Sequence, residues 1–412
     1  MHRMAAVDAQ FYWMSAKVPN DEFLLYVFDG EPADLDGALE QVRRRAEACP
    51  DWAMRVRDDY AVRFPRWVPA AVGPELLLCH QLADDTWAGC LSAVAALTGD
   101  QLDPREMPWR LHVFTPVRDI PGAIGPGTVV VVQAAHALGD GRRVSAMAGY
   151  LLGRSAPVPQ VAPPRPGLAP WRAVEAVRTY RRLVADTEAG LLPAGAGSRR
   201  PLAINTRPRG ARSLRTLVRH RSQLPGATVT VAVLAAVAGA LAELLGPAAD
   251  SLGAEVPMAK PGAPLGYNHF GNVAVGLYPH LDRGERMARI ASDLENARRR
   301  MWHPAGRAAD RAFATVPAAV LRWGVSQFDA EARPTQVTGN TVVSSVYRGA
   351  ADVSFGGAPV LFTAGYPSLS PAMGLTHGVH GIGDTIAISV HAAESALPDV
   401  DGYLRLLDAA LH

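Results

Sequence analysis

The sequence predicts an α/β protein, of the α+β kind, built as two lobes of comparable size. Three observations lead there. Apolar runs of strand length alternate with helical periodicities in both halves, a proline-dense segment separates the halves, and 412 residues exceed what one ordinary core organises. Hydrophobic residues at 49% against charged residues at 19% supply material for two cores and exclude overall disorder.

In chain order, Phe23-Leu-Leu-Tyr-Val-Phe28 is a strand closed by a turn at Asp29-Gly30. Asp34 then caps a helix whose apolar positions Leu35, Ala38, Leu39, Val42 and Ala46 fall on one face. Strands follow over 111–117 and 128–135, and Val129-Val-Val-Val132 in the second suits a strand covered on both faces. A helix over 143–152 completes a first lobe assigned to residues 1–154. Residues 155–170 hold six prolines in sixteen positions, which no helix or central strand accommodates, so they form a crossover. The second lobe, residues 171–412, repeats the pattern. Helices are expected over 171–189, 228–245, 283–302 and from 399 onward, and strands over 272–278, 341–347, 359–364 and 385–391. Met287, Ile290, Leu294, Ala297 and Met301 step by three and four along the third helix. Residues 199–221 read as loop and strand, and the Pro- and Gly-rich segment 246–264 as a loop.

The formal net charge of +2 is too near zero to point to nucleic acid or a strongly charged substrate. Only Lys17 and Lys260 are lysines, the mark of a GC-rich coding bias. Cys49, Cys79 and Cys90 are odd in number and lack metal-ligand spacing, so reduced, buried thiols in a cytoplasmic protein are expected. The chain turns acidic at Asp8 before an apolar leader forms. Its most apolar stretch, 231–245, contains Glu243 and reads as a buried helix. Neither a secretory leader nor a transmembrane segment is therefore expected.

One motif carries chemistry. His136-Ala-Leu-Gly-Asp140-Gly141 directly follows the buried strand and precedes a helix, a place where a side chain is held rigidly toward a cleft. Histidine is suited to take a proton from a hydroxyl or amine near neutral pH, after which that acceptor can attack a thioester carbonyl. Asp140 is expected to fix the loop by pairing with an arginine, or to orient the histidine. Gly141 permits close backbone approach or a positive φ.

Several weaker features surround it. Residues 199–221 carry eight arginines and no acid, so Arg207, Arg209 and Arg212 are candidates for donor phosphates or an acidic carrier protein, with a solvated loop as the plain alternative. No aromatic platform is interleaved, which argues against nucleic acid. Ser344 and Ser345 are candidates for hydrogen-bonding an oxyanion or lining an acceptor pocket, or form a polar strand end. His377 and His380 have H-x-x-H spacing but no third ligand stands out, so no metal is assigned and a glycine-rich loop near the acceptor pocket is expected. No G-x-S-x-G elbow surrounds a serine, which disfavours a serine hydrolase.

The chain resembles the bacterial wax ester synthase/diacylglycerol acyltransferase family, within the superfamily of chloramphenicol acetyltransferase and peptide-synthetase condensation domains. The resemblance runs through Val7-Asp8-Ala9-Gln10-Phe11, Met107-Pro-Trp-Arg-Leu-His112, the His136–Gly141 motif, Leu202-Ala-Ile-Asn205, the helix segment 233–241, Asn340-Thr-Val-Val-Ser-Ser345 and Tyr366-Pro-Ser-Leu-Ser-Pro371, in the family's order. Ala135 stands where the family usually has a first histidine, Thr230-Val231 where it has Asn-Asp, and Ser345 where it has Asn; the chain is also shorter around 212–226. These departures bear on the substrate and not on the base.

The resemblance implies two chloramphenicol-acetyltransferase-like lobes, each a mixed sheet flanked by helices, with an active-site tunnel between them. It implies direct transfer of an acyl group from acyl-CoA, or an acyl carrier thioester, to an alcohol or amine. His136 is the implied general base. No tightly bound cofactor is implied, and peripheral lipid contact is compatible with it. The alternatives are a carrier-protein-dependent condensation enzyme of specialised metabolism and a non-catalytic scaffold that retains the fold.

Overall fold

The computed structural model describes residues 1–163, 167–226 and 228–412. Residues 164–166, inside the expected crossover, lie outside the described residues. The chain opens with β1 (His2–Arg3) and α1 (Ala6–Ser15), then β2 (Glu22–Phe28) and α2 (Leu35–Ala48). Asp34 caps α2, its carboxylate accepting from the N–H of Gly37. Next come β3 (Met54–Arg57), β4 (Arg66–Pro69), β5 (Leu77–His80), α3 (Trp87–Leu97), β6 (Trp109–Val117), β7 (Gly127–Ala134), α4 (Gly141–Leu151) and α5 (Ala169–Glu188). The second half runs β8 (Arg212–His220), α6 (Val229–Leu245), β9 (Gly253–Ala259), β10 (Phe270–Gly276), α7 (Arg283–Trp302), α8 (Pro304–Phe313), α9 (Ala318–Ser326) and β11 (Thr341–Tyr347). It closes with β12 (Ser354–Phe355), β13 (Ala358–Gly365), β14 (Leu375–Ile382), β15 (Thr385–Ala393) and α10 (Val400–Leu411).

Two six-stranded mixed sheets form the lobes, ordered β12-β13-β2-β7-β6-β5 and β10-β9-β11-β14-β15-β8. Alternation along β2 shows how the first is covered. Leu24, Tyr26 and Phe28 pack with Ala38, Val42, Val144 and Met147 from α2 and α4. Phe23, Leu25 and Val27 face Trp87 and Leu91 of α3 together with Leu214 and Ala387 of the second sheet. β7, the valine-rich strand, is buried at all eight positions, as its composition predicts. The second lobe is organised around α6. Residues 229–249 are long and apolar enough to cross a membrane by composition, yet Val231, Val233, Leu234, Val237 and Leu241 are buried in the lobe's core.

The structure corrects four expectations. The segment 246–264 is not all loop: β9 lies within it, and its Pro257 is tolerated because pairing with β11 ends at Glu255. The glycine-rich stretch with His377 and His380 is not a loop but the fully buried strand β14. Its glycines serve close approach rather than flexibility. A Cβ on Gly378 would lie 2.1 Å from the carbonyl oxygen of Gly365, where the two sheets touch. The lobes are not contiguous in sequence, since β12 and β13 return to the first sheet, β13 pairing antiparallel with β2. Cys49 and Cys90 are buried, but Cys79 is exposed because β5 is an edge strand.

Candidate active site

β7 is hydrogen-bonded to β2 and β6 along its length, so the backbone leaving it is fixed. His136 begins a single 3₁₀ turn, and Gly139 follows with φ of 153°, where a side chain would meet Arg143. Gly139 is thus the glycine the turn requires. Gly141 has no positive φ; it opens α4, and a Cβ there would make only ordinary contact with Val346 and Glu22.

The His136 imidazole stacks on Phe11, with ring centroids 4.1 Å apart, and lies beside Phe270 at 5.9 Å. Its Nδ1 is buried without a hydrogen-bond partner among the described residues, and its Nε2 stands 3.9 Å from Glu22 Oε1. Burial lowers its pKa, so the ring is neutral near pH 7 and able to accept a proton. The register of β2, with Glu22 opposite Ala134, is what brings the Glu22 carboxyl to the end of β7. Desolvation first, then Asp140 and Asp21, push the Glu22 carboxyl well above the usual carboxylate range, while Arg348 opposes.

Asp140 is not paired with an arginine among the described residues, contrary to the sequence expectation. Its Oδ1 accepts from the Arg143 N–H and caps α4 at 3.0 Å, and its Oδ2 accepts from the His269 N–H at 3.0 Å. A helix N-terminus and a strand entry on the other lobe supply the donors. The arginine nearby, Arg143, instead pairs with Asp51 at 2.8 Å and lies over the Tyr267 ring. Residues 267–269 are tied in further. Asp8, buried in α1, accepts from the Tyr267 and Asn268 N–H groups and from Asn268 Nδ2, which also donates to the His136 carbonyl at 2.9 Å. Asp140→Ala is expected to lower stability by about 1–2 kcal/mol through the lost cap alone. Asp140→Asn keeps a cap acceptor but turns an amide N–H₂ toward His269, and is expected to lower stability less. Urea midpoints of the two variants check this; unchanged midpoints with a purely kinetic defect would contradict the assignment.

His136, Asp140 and Gly141 border a cavity of about 1210 Å³ between the lobes. Phe11, Glu22 and Leu24 line it from the first lobe, and Thr230, Met258, Phe270 and Val346 from the second. The N-termini of α4 and α6 both reach it, presenting the positive ends of two helix dipoles. Ser344 and Ser345 also border it from within β11, and Thr230 Oγ1 donates to Ser345 Oγ at 2.9 Å.

Arg207, Arg209 and Arg212 are not brought to the cavity. Arg207 pairs with Glu331, the Arg209 N–H donates to Ser395 Oγ, and the Arg212 guanidinium donates to the carbonyls of Pro208 and Gly210. Among the described residues, the arginines that border the cavity are Arg142, Arg298 and Arg348. Among the described residues no group of three or more His, Cys, Asp or Glu is placed to hold a metal. His377 is a core histidine held between Thr341 Oγ1 and Tyr403 Oη, while His380 lines the cavity. Glu22, Phe11 and Asn268 are the site residues that sequence reasoning missed. The signal for Glu22 was a charge at the first position of an otherwise apolar strand.

Residues 267–412 match the family model described as the WS/DGAT C-terminal domain. No curated protein matches the sequence. Among solved structures, the wax ester synthase/diacylglycerol acyltransferase from Marinobacter aquaeolei VT8 superposes with a TM-score of 0.66 at 20% identity, covering 99% of this chain and 98% of that one. A substituted starter condensation domain of rhizomide synthetase RzmA, in complex with C8-CoA and Leu-SNAC, gives 0.61 at 14% identity over 100% and 93%. Another substituted form of that domain, with C8-CoA, gives 0.58 at 15% identity over 100% and 95%. At these identities the likeness concerns the fold: two lobes, each a mixed sheet flanked by helices.

Proposed function

We propose that the chain is an acyltransferase like the wax ester synthase/diacylglycerol acyltransferases, whose C-terminal domain model its residues 267–412 match and whose fold it shares, and that its central cavity holds an acyl thioester against His136. One observation carries the reading: a neutral imidazole, fixed at a strand end, opens on a cavity large enough for a long acyl chain. The donor is acyl-CoA or a carrier-bound thioester, and the acceptor an alcohol or amine. His136 takes the acceptor's proton as its oxygen or nitrogen attacks the carbonyl, and returns it to the departing thiolate. Ser344 and Ser345, with the two helix N-termini, are the candidate stabilisers of the oxyanion. No resident cofactor takes part.

A carrier-dependent condensation enzyme is the second reading, favoured by the full-length match to the RzmA starter domain. A scaffold without activity gives no account of a base facing an open cavity. Peripheral lipid contact is consistent with α5, which exposes Trp171, Val174, Val177 and Tyr180 beside Arg178, Arg181 and Arg182.

Thiol release from CoA, pantetheine and carrier-bound octanoyl thioesters, with products identified by mass spectrometry, tests these readings. Replacing Arg142 and Arg298 with alanine is expected to raise the KM for acyl-CoA about two- to five-fold, the worth of an exposed ionic contact, and not that for the pantetheine ester. Replacing Arg207, Arg209 and Arg212 is expected to leave the KM for acyl-CoA flat. A rise confined to the carrier-bound donor in the second set would favour the condensation reading.

A further inference from the structure

Glu22 sits with two other carboxyl groups, Asp140 and Asp21, on the cavity wall, and those two are consumed. Asp140 accepts from two backbone N–H groups, and Asp21 accepts from the Leu102 N–H and from Gln133 Nε2. Glu22 accepts nothing among the described residues. Its Oε2 is buried without a partner, its Oε1 stands 3.9 Å from His136 Nε2, and its side chain is 18% exposed, on the wall of the cavity. A buried carboxyl without hydrogen bonds costs stability, so a purely structural role gives no account of it. Nor does orientation of the imidazole, since 3.9 Å is beyond a hydrogen bond.

The acceptor's chemistry supplies an account. An alcohol brings one proton that must be removed during transfer, and His136 suffices. An amine enters water-soluble sites as an ammonium and must lose two: one to become a nucleophile, one as the C–N bond forms. Glu22 and His136 are two proton acceptors side by side, facing one cavity. Resting on the acyl-transfer reading, we propose that the acceptor is an amine and that Glu22 takes the first of its two protons. The ammonium R–NH₃⁺ seats against the Glu22 carboxylate and passes it a proton, leaving R–NH₂. The nitrogen lone pair attacks the thioester carbonyl and the C–S bond breaks. His136 receives the second proton and hands it to the thiolate, which leaves as a thiol. Glu22 releases its proton to solvent with the amide product. The other charged groups facing Glu22 are Asp140 at the start of α4, Asp21 beside it in sequence and Arg348 after β11. Burial, Asp140 and Asp21 raise the carboxyl's hold on a proton while Arg348 opposes, so Glu22 acts from its ionised form, which a seated ammonium stabilises.

The test uses the full chain with octanoyl-CoA and two acceptors of equal length, decylamine and decanol. Glu22→Gln is expected to lower the ratio of kcat/KM for decylamine to that for decanol roughly 10²-fold. In Glu22→Gln the remaining amine transfer should climb with pH toward the amine's own pKa, because only free base from solution reacts. Wild type should rise only with the ionisation of Glu22 and be flat above it, and Glu22→Asp should recover part of the amine rate. Equal losses on both acceptors, or an unchanged amine rate with an unchanged profile, would overturn the proposal. Transfer by wild type to decanol and not decylamine would overturn it too, leaving the acyltransferase reading standing. Transfer to neither, with thiol release at the hydrolytic background, would remove both. Thermal melting of each variant separates a folding defect from these outcomes.

Discussion

His136→Ala is expected to lower turnover by roughly two to four orders of magnitude, the usual worth of a general base, with only a small change in melting temperature. The two halves of this expectation have separate physical grounds. The rate falls because His136 borders the cavity and no second histidine precedes it in the turn: Ala135 occupies that place. Stability changes little because the ring's Nδ1 has no hydrogen-bond partner among the described residues, and its stack on Phe11 is worth about 0.5–1.5 kcal/mol. The backbone of the turn stays held by Asn268 and Gly139. Since burial lowers the His136 pKa, kcat/KM should fall on the acid side only below the ordinary histidine value of 6.5, as protonation removes the base. Steady-state thiol release against pH checks both; activity within a few-fold of wild type would take His136 out of the mechanism.

The largest stability effect is expected at Arg143. Its guanidinium is buried, pairs with Asp51 at 2.8 Å, donates to the carbonyls of Leu138 and Pro159, and covers the Tyr267 ring. Arg143→Met keeps the volume but strands a buried carboxylate, which costs about 3–5 kcal/mol. Adding Asp51→Asn should recover part of that, because no charge is then left alone. The carbonyl of Leu138 belongs to the turn that carries His136, so the single variant should also lose activity through a loosened turn. Urea unfolding of the two single variants and the double measures the coupling; a loss below about 1 kcal/mol in Arg143→Met would refute the buried-pair account.

Much of this architecture was legible in the sequence where local rules and tertiary demands agree. The helix Arg283–Trp302 and the strand Thr341–Tyr347 fall where periodicity and composition put them, and the valine run 129–132 is covered on both faces. The misreadings share one cause. β14 looked like a loop because glycine disfavours strands when averaged over contexts, but at Gly378 the contact with Gly365 leaves no room for anything larger. β9 was hidden by a proline that a half-paired strand accommodates. At the site, the motif gave His136, but the partners of Asp140 are backbone groups of residues 143 and 269, which have no sequence signature. Asp8 and Asn268 meet across 260 residues of chain, a pairing that no local pattern announces.

The return of β12 and β13 to the first sheet has a consequence for how the protein is made. β2 pairs with β7 early in synthesis, but its other side stays open until residues 358–365 leave the ribosome. At ordinary translation rates that interval lasts roughly tens of seconds. Throughout it, Phe23-Leu-Leu-Tyr-Val-Phe28 is an uncovered apolar edge, the kind of surface that recruits other chains. The nascent protein is thus a natural client for chaperones. A fragment ending at the proline-rich crossover should aggregate where the whole chain does not, and should be rescued by supplying the rest of the chain in trans.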